Sequence, residues 1–150
     1  MGINKSRVLL GGFLGGIVWL GWSFFINSRI SPLLTVAQQK GLFLAKPRYS
    51  YFPIAWIITL FVLAILVSYL YAAVRNTLGP GPWTAFKVGA LFGFAAGFPD
   101  NFGMASWSPA DRVIPLGFML EMWAGAILAT VVAGWIYKQA GSEKAARAAA

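Results

Sequence analysis

The chain has 150 residues, of which 59% are hydrophobic and 11% charged, and its mean hydropathy is +0.70; this excludes a water-soluble globule and reads as a membrane-embedded protein. It contains no cysteine and no histidine, which excludes thiolate iron–sulfur or zinc sites, histidine-ligated haem, Ser-His and Cys-His nucleophilic pairs, and disulfides. Its 12 Lys and Arg against 4 Asp and Glu give a net charge of +8, but the basic residues sit at the ends of apolar runs, where they meet headgroups and form no nucleic-acid surface.

The first apolar run, 8–26, follows Lys5 and Arg7 and is expected to be a retained signal anchor and first transmembrane helix. Beyond it, Ser31 suits an N-cap, Pro32 a first helical position and Gly41 an exit, so the spacing predicts a short interfacial helix over 33–40. The second run, 52–74, is uncharged, rich in Leu and Ile, and closed by Arg75. Paired Gly-Pro steps at 79–82 then force a turn.

The third run, 83–98, ends at Pro99, Asp100 and Asn101 after about 16 residues, roughly 24 Å, which falls short of a ~30 Å hydrocarbon core. The proline predicts that this helix stops there and that the loop to Pro115 completes the crossing. The fourth run, 113–137, is long enough to span with tilt, and the Ala-rich tail 138–150 is expected to fray. The predicted fold is an all-α, antiparallel four-helix transmembrane bundle, a single domain with an interfacial helix between helices 1 and 2.

With an even number of spans both termini share a side. Lys5, Arg7, Arg75, Lys87, Lys138, Lys144 and Arg147 make 7 basic residues on that side against 5 opposite (Arg29, Lys40, Lys46, Arg48 and Arg112), so cytoplasmic termini are expected. Trp83, Tyr69, Tyr71, Trp135 and Tyr137 would then form an inner aromatic belt, and Trp22, Tyr51, Trp56 and Trp107 an outer one.

Gly89, Gly93 and Gly97 recur at spacing four, extended backward by Ala85, and leave one edge of the third helix bare. Between apolar helices in lipid, close van der Waals approach drives association, and such edges permit it. Gly11 with Gly15 and Gly12 with Gly16 repeat the device on the first helix, Ala64, Ser68 and Ala72 on the second, and Ala126, Thr130 and Gly134 on the fourth. These are helix-packing seams; lining a pore or a ligand groove is the functional alternative.

Two ionisable residues fall clearly inside the spans, where such a group marks a candidate functional site. Lys87 lies one turn inside its helix and can snorkel. Glu121 lies deeper and needs a partner or a proton. Ser23, Asn27, Asp100 and Asn101 match it in depth, so these residues are predicted to form one polar cluster, with Arg112 above it as counter-ion. The cluster would either serve an ion or a proton, or cement two helices.

In outline, the basic start, glycine-studded first helix, outer loop, Trp-bearing second helix and Lys-Gly third helix over residues 8–137 resemble small four-span bacterial inner-membrane proteins of unassigned function. That resemblance implies a multi-pass inner-membrane location and carries no catalytic residue onto the chain. Three classes of function remain. The first is a noncatalytic accessory or structural subunit, with the lipid bilayer and other membrane subunits or itself as partners. The second is a small homo-oligomeric transporter or channel using Glu121 and Asp100. The third, a membrane enzyme, is disfavoured by the missing histidine and cysteine and by the scarcity of carboxylates. No cofactor or metal is expected.

Overall fold

In the computed structural model, residues 2–137 are described; the expected tail, with Lys138, Lys144 and Arg147, lies outside the described residues. They form four helices and no strand: α1 (Lys5–Gln39), α2 (Phe52–Leu78), α3 (Pro82–Trp107) and α4 (Val113–Ile136). The side chain of Asn4 caps α1 by accepting a hydrogen bond from the Arg7 amide at 3.2 Å. Gly41, at φ 72°, closes the same helix in the left-handed conformation, and the Leu42 amide reaches back to the Ala37 carbonyl at 2.9 Å. Gly79 and Gly81, both at positive φ, flank Pro80 in the turn that separates α2 from α3.

Helices α1, α2 and α4 are each long and apolar enough to cross a membrane, whereas α3 is not. Four glycines dilute the apolar run of α3, and Lys87, Asp100 and Asn101 interrupt it.

Two expected boundaries are corrected. The segment 33–39 is no separate interfacial helix but the last two turns of α1, which continues through Pro32. Leu33, Leu34 and Ala37 pack with Phe43 and Phe118 around Ala110 and Ile114, and burial of this second apolar cluster outweighs the single backbone donor that the proline removes. Likewise α3 runs through Pro99 to Trp107 instead of ending near Phe98. The rings of Phe94, Phe98 and Phe102 stack at centroid distances of 4.6 and 5.2 Å, carrying side-chain contact across the proline. On the opposite edge Gly97 sits against Met122.

Small residues set the packing. On α1, Gly12 and Gly16 face Ile65 and Phe61 of α2, while Gly11 and Gly15 face Ala133 and Ala129 of α4. Helix α3 docks on α4 with Gly89 over Ala126 and Ile127, Gly93 over Trp123, and Gly97 over Met119 and Met122. In each of these three pairs the residue numbers rise along one helix as they fall along the other. Ser68 on α2 donates to the Val8 carbonyl of α1 at 3.0 Å, so that position closes its seam with a hydrogen bond. Ala64, Ala72, Ala126 and Thr130 are buried with it.

A Cβ at Gly93 would stand 2.8 Å from the Trp123 carbonyl oxygen and 2.9 Å from its Cα. Gly93→Leu should therefore push α3 away from α4 and cost about 2 kcal/mol. A lowered midpoint in thermal circular dichroism of the detergent-solubilised protein checks this; an unchanged midpoint counts against the seam.

At one end of the molecule a polar and aromatic clasp joins the helix termini. The Asn4 amide donates to the Tyr137 hydroxyl at 3.0 Å, and the Gly81 amide to the Tyr71 hydroxyl at 3.3 Å. The Arg75 guanidinium lies over both rings, 5.8 Å from the centroid of Tyr71 and 4.9 Å from that of Tyr137. Tyr71 and Tyr137 are thus buried inside the clasp and do not face lipid as belt residues. Trp83 and Trp135 are exposed, and the Lys87 ammonium lies 5.3 Å from the Trp83 ring centroid, the posture of an anchor at the helix end.

Candidate functional site

The face of α4 toward α1 repeats every four residues: Gly117 meets Ile30, Glu121 meets Ser23, Gly125 meets Trp19, Ala129 meets Gly15 and Ala133 meets Gly11. A carboxylate thus occupies the one position of a small-residue seam at which α1 supplies a hydroxyl. Gly125 is the most crowded glycine of this seam, because Nε1 and Cδ1 of the Trp19 indole occupy the place its Cβ would take. Trp19 is fully buried, and among the described residues its Nε1–H has no hydrogen-bond partner.

Glu121 is 1% exposed. The Ser23 hydroxyl donates to its Oε1 at 2.5 Å, and the Asn27 amide donates to its Oε2 at 3.1 Å. The same Asn27 amide nitrogen donates to the Ser23 carbonyl at 2.9 Å, which fixes the Asn27 side chain along α1. Ser23 and Asn27 are one helical turn apart, so a single carboxylate can take one donor from each. Trp56, on α2, also turns toward this carboxylate.

Beside Glu121 a cavity of about 580 Å³ opens between α1, α2 and α4, with Asn101 of α3 and Pro47 of the α1–α2 connection also in its wall. Its lining is mostly apolar, with Phe24, Phe52, Trp56 and Phe118 as aromatic walls; the polar groups are Ser23, Asn27, Asn101 and Glu121. Phe24, Phe52 and Ile57 are also exposed on the outside of the molecule, so the cavity is reached from the flank of the bundle. Comparison of the chain with protein-family models, with curated proteins and with solved structures gives no match.

Of the six residues predicted to cluster, the structure brings Ser23, Asn27 and Glu121 into direct contact. Asn101 lines the same cavity, but its amide donates to the Gly97 carbonyl of its own helix at 2.7 Å. Asp100 and Arg112 are exposed, and neither lines the cavity. Because α3 continues through Pro99, Asp100 stays on a helical surface and does not turn inward at a helix end. Sequence reasoning missed two members, Trp56 and Gly125. Trp56 lies one turn inside α2, where an aromatic residue reads as a belt residue. Gly125 belongs to a Gly-x-x-x-Glu-x-x-x-Gly repeat, 117–121–125, whose central carboxylate hides the seam.

Proposed function

We propose that the chain is a noncatalytic integral membrane protein, an antiparallel four-span bundle that serves as an accessory or structural subunit and packs against other membrane proteins. The opposing register of α1 with α2, α1 with α4 and α3 with α4 supports the antiparallel arrangement. The basic-residue count supports cytoplasmic termini, and a bacterial inner membrane rests on the outline resemblance alone. The observation that carries the subunit reading is α3. It holds to α4 by a bare glycine edge, lacks the hydropathy to span alone, and turns Leu91, Phe94 and Phe102 outward, Leu91 being 74% exposed. Leu91, Phe94, Phe98 and Phe102 share one helical face, the ridge that a neighbouring transmembrane helix covers. The transporter reading relied on two carboxylates acting together; with Asp100 on the surface it rests on Glu121 alone.

Native extraction followed by mass measurement tests the proposal. A subunit travels with unrelated chains in fixed ratio, and Leu91→Glu on the exposed ridge should release it. Recovery of the chain alone, or as a symmetric multiple of itself that Leu91→Glu does not disturb, rejects the subunit reading.

A further inference from the structure

Glu121 sits in an environment that does not complete its charge. Its carboxylate faces only neutral donors, the Ser23 hydroxyl, the Asn27 amide and the Trp56 indole N–H, none of which carries a charge to balance its own. Among the described residues, no lysine or arginine lines the cavity beside it. A carboxylate in apolar surroundings is strongly stabilised by a close opposite charge, and the protein supplies none on this side. The cavity walls add a second preference, since the ring faces of Trp and Phe attract cations.

The cavity is also of the right kind to take a ligand. At about 580 Å³ it has the volume of a small-molecule site, and its apolar walls surround a few convergent polar groups. Phe24, Phe52 and Ile57 of its wall are exposed, which gives a membrane-dissolved molecule apolar surface to approach it by. Among the described residues that line it, Glu121 is the one ionisable group. An anionic headgroup would meet repulsion from that carboxylate, and a neutral amphiphile could hydrogen-bond there but would leave the carboxylate's charge unbalanced.

We propose that the groove between α1, α2 and α4 binds a lipophilic cation, an apolar body bearing one delocalised or substituted positive centre, with that charge beside Glu121 and the apolar body against Phe24, Trp56 and Phe118. Ser23 and Asn27 are positioning residues that hold the carboxylate facing the cavity. The inference does not depend on the subunit reading, because a single purified chain contains every group it uses.

Equilibrium dialysis of the full-length protein in maltoside micelles tests it, with tetraphenylphosphonium as the probe, its near-isosteric anion tetraphenylborate as the charge control, and empty micelles as background. The cation should bind saturably and the anion should not. Glu121→Gln, shown folded by its thermal melt, should weaken cation binding at least tenfold. Ile57→Trp adds bulk at an exposed wall residue of the cavity, leaves Glu121, Ser23 and Asn27 in place, and should weaken binding as well. Equal binding of the two ions, absence of saturable cation binding, or wild-type affinity in folded Glu121→Gln overturns the proposal. Should Glu121→Gln fail to fold, wild-type affinity in Ile57→Trp overturns it.

Discussion

Gly125→Leu is expected to leave no stably folded protein, at a cost of at least ~3 kcal/mol. A side chain there would have to occupy the space of the Trp19 indole, and that ring is fully buried between α1 and α4. Unlike α3 at Gly93, Trp19 has no open side toward which to move, since it belongs to the main apolar cluster with Leu60, Ala64, Val67 and Ala126. Gly21→Leu on α1 is the control, because nothing lies within 4 Å of a Cβ at that position. Thermal circular dichroism should show a lost transition for Gly125→Leu and an unchanged one for Gly21→Leu. Equal midpoints in the two variants would mean that the α1–α4 seam is not a determinant of stability.

Glu121→Leu is expected to destabilise the fold by about 2 kcal/mol, less through loss of a favourable contact than through what remains. The Ser23 hydroxyl would be buried without its acceptor, while the Asn27 amide would keep only the Ser23 carbonyl and a distant Ser23 hydroxyl. Removing both members of a buried hydrogen bond costs less than removing one, so Ser23→Ala in the Glu121→Leu background should restore about 1 kcal/mol. Denaturation midpoints of the wild type, the two single variants and the double variant close the cycle. Strict additivity would show that the short Ser23–Glu121 bond contributes nothing to folding.

The parts of the fold that depend on local pattern were legible in the sequence. Helices α2 and α4 begin where the apolar runs 52–74 and 113–137 begin, since unbroken hydropathy and a flanking charge define such spans without reference to neighbours. The glycine edges of α1 and α3 were legible for a similar reason, because spacing alone places bare positions on one face. Proline was over-read twice. Pro32 was expected to open a new short helix after Ser31, and Pro99 to end one for want of a donor, yet Ile114 and Phe118 in the first case, and stacked Phe98 and Phe102 in the second, accompany a helix that runs on. These partners are distant in sequence or lie beyond the supposed break, so no local signal announced them.

The same limit applies to the site. Glu121, Ser23 and Asn27 could be grouped because depth along a span is countable from its ends. Asp100 was matched to that depth but lies on an exposed face, since azimuth depends on how each helix is rotated about its axis, and Arg112, at the start of α4, stays exposed above the site. The cavity itself was invisible, since Phe24, Trp56 and Phe118 come from three helices and become one wall only when the seams bring those helices together.

Helix α3 also has a consequence for how such a chain is made. Its own hydropathy would not carry it from a translocation channel into lipid when it emerges from the ribosome, whereas that of α4 would. Because Gly89, Gly93 and Gly97 already match Ile127, Trp123 and Met122, the two segments suit release from the channel as a hairpin, the later one acting as escort for the earlier. Truncation before Val113 during synthesis would then strand α3 outside the bilayer, with its phenylalanine ridge in water and open to proteolytic disposal.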